Sequence, residues 1–191
     1  MKKIILTVAG VFALSFANAQ SYTKPDAGDM QLEVTFTPNL SSDAMFANPT
    51  FYGTEAAGIR LRKFSSATKA LRLTGHLSYN DSGVDGTESA MALAASVGIE
   101  NHMKGTDRLS TFWGYEGTLL YAKDELKTTT IGVGAQLFTG CDYYIMPNVY
   151  LGAEVNFGLS VASTKPDAGD GVTSISLNPG INPNLRLGWR F

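Results

Sequence analysis

The stretch "HLSYN" at residues 76–80 sets His76, Ser78 and Asn80 at alternate positions. These types suit nucleophilic chemistry, in which a serine needs a base within hydrogen-bond reach and a third group to orient that base. Glu100, on the neighbouring segment, is the candidate orienting group. Metal chemistry is less well supplied. His76 and His102 fall at opposite ends of one hairpin, and the single cysteine, Cys141, has no thiol neighbour. Asp81, Asp85 and Glu88 in "NDSGVDGTES" lack the spacing of an EF-hand loop, so a solvated acidic loop is the expectation. No metal site and no cofactor site is expected.

The elements that must carry these residues are strands. Eight segments alternate at period two: Met30–Thr37, Ala57–Phe64, Ala70–Tyr79, Ala90–Glu100, Arg108–Ala122, Thr128–Gly140, Val149–Leu159 and Ile181–Phe191. Most are about the ten residues that a tilted strand needs to cross a bilayer. One parity carries large apolar side chains, among them Leu32, Val34, Ile59, Leu61, Trp113, Tyr115, Leu187 and Trp189. The other carries Glu33, Arg60, Arg62, Arg72, Glu100, Glu116, Glu154, Arg186 and Arg190, with His76 and Ser78 on the same side. Glycines 98, 114, 132, 134, 152, 158 and 188 share this polar face; Phe112, Leu120 and Phe138 break its pattern.

Two closed sheets fit such strands, a soluble barrel with the apolar face inside and a membrane barrel with it outside. The cation types decide between them. All strand-face cations are arginine, while every lysine lies in the leader, in a turn or at a strand end. A wet face would mix the two, whereas an enclosed one favours the arginine fork, which pairs with carboxylates. The expectation is an all-β chain, an eight-stranded antiparallel up-and-down transmembrane β-barrel. The nine residues Glu33, Arg60, Arg62, Arg72, Glu100, Glu116, Glu154, Arg186 and Arg190 should form a charge network in its lumen. Eight strands leave an interior that side chains just fill, which disfavours an open diffusion pore.

Met1-Lys2-Lys3, the apolar run from Ile4 to Phe16 and the small-x-small triplet Ala17-Asn18-Ala19 read as a secretory signal. Cleavage is expected between Ala19 and Gln20, so residues 1–19 form the signal peptide and 20–191 a single barrel domain. Without Lys2 and Lys3, 13 of the 15 basic residues face 17 acidic ones, a net charge of −4 that argues against a nucleic-acid partner. The first, third and seventh links (38–56, 80–89 and 160–180) read as long. The second, fourth and sixth (65–69, 101–107 and 141–148) read as short, so both termini should be periplasmic. The fifth link, 123–127, is shorter than that rule expects unless its strands run beyond the membrane. Pro179 and Pro183 make the last strand the least regular, since proline donates no ladder bond.

Leu185, Leu187, Trp189 and Phe191 end the chain. Trp189 with the terminal Phe191 resembles the sorting signal read by the outer-membrane barrel-assembly machinery. The wider chain resembles the small outer-membrane β-barrel ("porin family", OmpA/OmpX-like eight-stranded) proteins of Bacteroidota. The stretches that carry the resemblance are "NAQ" at 18–20, "GIRLRKF" at 58–64 with "KALRL" at 69–73, "KGTDRLSTFWGYE" at 104–116, "MPNVYLGAEVNFG" at 146–158 and "RLGWRF". Lys63-Phe64 stands where the family often has two aromatics. The resemblance implies a bacterial outer-membrane location, with membrane lipid and the assembly machinery as partners and a monomeric state. Its motifs are architectural and specify activity poorly; with catalysis, metal binding and an open pore disfavoured by the residues, a structural or surface-interaction role is the expectation. The His-x-Ser pair resembles that of lipid A deacylase barrels, but those groups face lipid, whereas parity turns His76 and Ser78 inward. That enzyme and a narrow small-solute channel are the alternatives.

Loop 38–56 gathers Met45, Phe46, Phe51 and Tyr52 and is the candidate recognition segment; its surface ligand is not legible. "TKPDAGD" occurs at both 23–29 and 164–170. Seven strands separate the copies, so they should lie on opposite sides of the membrane as duplicated turns rather than in one site.

Overall fold

The computed structural model describes residues 24–38, 46–47, 50–51, 54–55, 57–81, 83, 88–103 and 105–191. Ala19, Gln20, Met45, Tyr52, Asp85 and the side chains of Phe46 and Phe51 lie outside them. Eight long strands follow one another: β1 (Met30–Pro38), β2 (Ala57–Ser66), β3 (Lys69–Asn80), β4 (Ala90–Met103), β5 (Leu109–Lys123), β6 (Thr129–Met146), β7 (Val149–Lys165) and β8 (Val172–Arg190). Each pairs antiparallel with the next in sequence, and β8 returns to β1 through Gln31↔Arg190 to Phe36↔Leu185. The sheet is thereby closed. Short strands Phe46–Ala47, Thr50–Phe51 and Thr54–Glu55 lie in the first link, between β1 and β2.

Burial is inverted relative to a water-soluble protein. Leu119 is 65% exposed and Leu137 59%, while Glu33, Arg62, Arg72, Glu100 and Arg186 have no exposure. The outward parity is apolar along every strand, with Trp113, Tyr143 and Trp189 towards one end and Tyr79 and Tyr121 towards the other. An apolar band edged by aromatics is the surface that a bilayer matches. The fold is the eight-stranded antiparallel up-and-down transmembrane barrel.

Three boundaries differ from the sequence reading. The sixth link is not 141–148 but the turn at Pro147–Asn148, because period two continues through "CDYYIM" with Asp142 and Tyr144 inside and Tyr143 outside. Cys141 consequently sits within β6 rather than in a turn. The seventh link shrinks to 166–171 because β7 and β8 extend far beyond 159 and 181. Their extra length alternates Ser160, Ala162 and Thr164 with Val161 and Ser163, residues too small or polar to announce a strand. The fifth link is as tight as the sequence reads it, running between Lys123 and Thr129. There the Asp124 carboxylate accepts backbone N–H groups of Leu126 (2.9 Å) and Thr128 (2.8 Å), and Lys127 takes a left-handed φ of 64°.

Of the two prolines of β8, Pro183 stays in register opposite Val155 and Pro179 is absorbed locally. Asn156 pairs with Asn182 and Gly158 with Asn178, so Phe157 alone faces the three residues from Pro179 to Ile181. This bulge removes Pro179 from the ladder it could not serve. The described part of the first TKPDAGD copy precedes β1 and the second closes the β7–β8 link, at opposite ends of the barrel. Both place glycine at positive φ, Gly28 at 97° and Gly169 at 117°, a conformation that disfavours any other residue.

Candidate functional site

Alternation delivers the charged side chains of neighbouring strands to one enclosed volume. Arg62, from β2, is its hub. Its guanidinium donates to Glu33 Oε1 (2.8 Å), Asp142 Oδ2 (2.7 Å), Gln31 Oε1 (2.8 Å) and Glu100 Oε2 (2.8 Å). Arg72 grips Glu154 with two nitrogens, at 2.9 and 3.1 Å, and donates its Nε to Glu116 at 2.6 Å. Arg186 binds Asp142 at 2.5 Å and Glu33 at 3.2 Å; Arg60 spans Glu33 and Glu154, both at 3.3 Å. The Tyr150 hydroxyl donates to Glu33 at 2.6 Å, and Gln31 donates to the Tyr144 hydroxyl at 3.0 Å. Charge-assisted and bidentate bonds of this kind offset the desolvation that burial imposes on each ion.

Eight of the nine expected network residues meet here: Glu33, Arg60, Arg62, Arg72, Glu100, Glu116, Glu154 and Arg186. Arg190 is the correction. One residue from the chain end, it lies at the rim, donating to Asn148 Oδ1 (3.2 Å) and standing 3.5 Å from Asp29 Oδ2. The sequence reading missed Asp142, which it placed in a turn. It also left out Tyr150, although 150, 152 and 154 share the inward parity. Phe112 and Phe138, which seemed to break the pattern, point inward as ring platforms: Arg72 stacks 3.6 Å above Phe138 and Arg186 4.6 Å from Phe112. Leu120 is likewise inside, 4% exposed.

Inward glycines make the room. A Cβ at Gly188 would collide with the Tyr150 ring, and one at Gly152 would come within 2.8 Å of Arg186 and Asp142. Gly188→Ala should therefore push Tyr150 off Glu33 and cost about 1–3 kcal/mol, the usual range for overpacking, read as a lower unfolding midpoint in folded micelles. A variant as stable as wild type would show that the Tyr150–Glu33 bond contributes nothing.

The serine chemistry is not assembled. Ser78 and His76 lie on the inner face of β3, but Glu100 is engaged by Arg62, Arg72 and His102 far along β4, where it pairs with Ala70 while His76 pairs with Ala94. Ser110, His102 and Glu100 do form a chain, with Nδ1 at 3.0 Å from Ser110 Oγ and Nε2 at 3.1 Å from Glu100 Oε2. The ring is turned the wrong way for a serine triad, and Ser110 is 3% exposed. Among the described residues no group of three metal-binding side chains occurs.

Outside this plug the lumen is different. The half away from the chain ends is lined by Ala92, Ala94, Ser96, Thr118, Gly134 and Ser160, and a cavity of about 230 Å³ opens between Ser78, Leu120, Ala122, Thr128 and Thr130. At its mouth Glu88 accepts a hydrogen bond from Lys123 and lies 3.4 Å from Lys127 Nζ. The Lys123 bond above all holds the Glu88 carboxyl below its ordinary range.

No family model and no curated protein sequence matches the chain. Solved structures do. The N-terminal β-barrel domain of OprF from Pseudomonas aeruginosa matches over 87% of this chain and 100% of its own, at 13% identity and a TM-score of 0.53. OprG from the same organism covers 89% and 99%, at 15% identity and 0.53. Outer membrane protein W of E. coli covers 87% and 99%, at 13% identity and 0.51. At these identities the likeness is one of fold, and each of these neighbours is a bacterial outer-membrane β-barrel.

Proposed function

We propose that the chain is a non-enzymatic outer-membrane barrel, exported by its N-terminal signal and monomeric in the bilayer, with both termini in the periplasm. Its role on this reading is structural or one of surface interaction through the outer links. The observation that carries it is the pairing of an apolar exterior with a lumen closed by ion pairs. The exterior supports a lipid environment, and the closed lumen argues against general diffusion. The inward placement of His76 and Ser78 argues against lipid-directed catalysis, and no observation favours a conducting channel. Membrane lipid and the barrel-assembly machinery are the partners, the latter through Trp189 and Phe191, which face outward.

Topology is the test. In a Cys141→Ser background, cysteine at Ala168 should react with an impermeant thiol reagent on intact cells and cysteine at Ala27 should not. Both positions are exposed, so accessibility within the fold cannot produce the difference. Labelling of both from outside would overturn the topology. Unheated protein should also run at a different apparent size from boiled protein on a denaturing gel; soluble periplasmic protein with no such shift would overturn the membrane reading.

A further inference from the structure

Charge sorts by face. The eight long strands contain five carboxylates, Glu33, Glu100, Glu116, Asp142 and Glu154, and all are buried in the lumen. No outward position of these strands carries an acid; the charges there are four lysines, Lys63, Lys69, Lys123 and Lys165. Each stands at an edge of the apolar band. Lys63 and Lys69 lie at the end where the chain terminates, and Lys123 and Lys165 close β5 and β7 at the other. A wall facing water would mix both signs of charge. One sign alone, set just beyond the band, matches a surround that supplies the anions. Lysine stems lie along apolar surface while their ammoniums reach the headgroups.

The end away from the chain termini gathers its lysines most closely. Thr129 pairs with Lys123 on one side and Lys165 on the other, so the two lysines stand two strand spacings apart on one row, about 10 Å. Lys127, exposed in the turn between β5 and β6, joins them. Glu88 draws two of the three together, bonded to Lys123 and 3.4 Å from Lys127 Nζ. Lys165 has no ion-pair partner among the described residues. Two nearby acids are committed elsewhere: Asp124 caps its own turn, and Glu125 accepts from Asn80 at 3.4 Å. Asp167 is the other carboxylate that Lys123 feels. Three ammoniums thus face Glu88 and Asp167, and the excess is positive.

We propose that Lys123, Lys127 and Lys165 form a binding site for the phosphate of a membrane lipid, in the outer leaflet on the topology proposed above. The site rests on that membrane reading and adds to it a preferred lipid. Glu88 is the carboxylate that the phosphate replaces on Lys123 and Lys127, and Lys165 supplies the third ammonium from across the row.

Native mass spectrometry of the chain refolded in neutral micelles tests this, with phosphorylated lipid A and its dephosphorylated form as the probes. The wild type should retain the phosphorylated lipid and lose the other. Lys123→Gln with Lys165→Gln should weaken retention on the order of thirtyfold, the attraction expected of two ammoniums at an anionic surface. Glu88→Gln, which releases two ammoniums, should tighten it severalfold, and Lys63→Gln with Lys69→Gln at the opposite edge should leave it unchanged. Equal retention of the two lipids, or an equal loss from either lysine pair, would overturn the site. The heat-dependent gel shift tells its failure from that of the membrane reading. A wild type that keeps the shift but shows no preference for the phosphorylated lipid loses only the site; a wild type without the shift loses both.

Discussion

Glu154→Leu is expected to destabilise the folded barrel by roughly 3–5 kcal/mol, while Val155→Leu, one position on, should be nearly silent. Glu154 has no side-chain exposure and faces Arg72 at 2.9 Å, Arg60 at 3.3 Å and Arg186 at 3.7 Å. Its loss leaves three guanidiniums sharing the remaining carboxylates. Nothing in the packing rescues them, because water does not reach the site and a leucine accepts no hydrogen bond. Val155 points the other way, and a slightly larger aliphatic chain is as welcome in lipid as a smaller one. Urea-induced unfolding in micelles reads the difference directly. Equal stability for the two variants would invert the assignment of faces.

The reciprocal experiment puts a charge outside. Leu137→Arg, midway along β6 between Tyr143 and Ile131, should cost about 2–4 kcal/mol in a bilayer, the penalty for arginine near the midplane of a membrane barrel. Leu126→Arg, in the β5–β6 turn, should cost nothing measurable. Both leucines are exposed, 59% and 78%, so in water both changes would be surface substitutions of little consequence. Only a hydrocarbon surround separates them. Refolding into lipid vesicles with equal yield and stability for both variants would return the chain to the soluble class.

How far the sequence alone carried the structure depended on the size of the outward side chains. Where they were large, as in "LRLTGHL" or "LRLGWRF", period two was plain and even named the lumen arginines. Where they were small, as in "SVASTK", the strand was invisible, and β7 and β8 came out short. Asp142 was lost for a related reason: beside Cys141 and ahead of Pro147 it reads as a turn former, and only the continuing alternation of Tyr143 and Tyr144 shows it turned inward. Phe112 and Phe138 looked like errors of parity because aromatics were assigned to lipid by type. In the fold they are the faces on which arginines stack. What no pattern could provide was pairing. Which carboxylate meets which guanidinium depends on strand stagger, set by turns and by the bulge opposite Phe157.

Among the described residues the two ladders that flank β1 are the shortest in the barrel, six pairs each. On the closing side β1 and β8 zip only from Gln31↔Arg190 to Phe36↔Leu185, whereas β7 and β8 run together from Val149↔Trp189 to Thr164↔Val172. The cylinder therefore has a weak line along its length, fastened only on the side of the chain ends. Its lower part is reinforced from within, because Glu33 on β1 is bound by Arg186 on β8. A newly made chain can keep its other seven ladders while this one stays undone, and meet itself last, with the arginine and the glutamate acting as the clasp. The same line is where the finished wall should breathe, with the backbone amides of β1 exchanging sooner than those of β6 or β7.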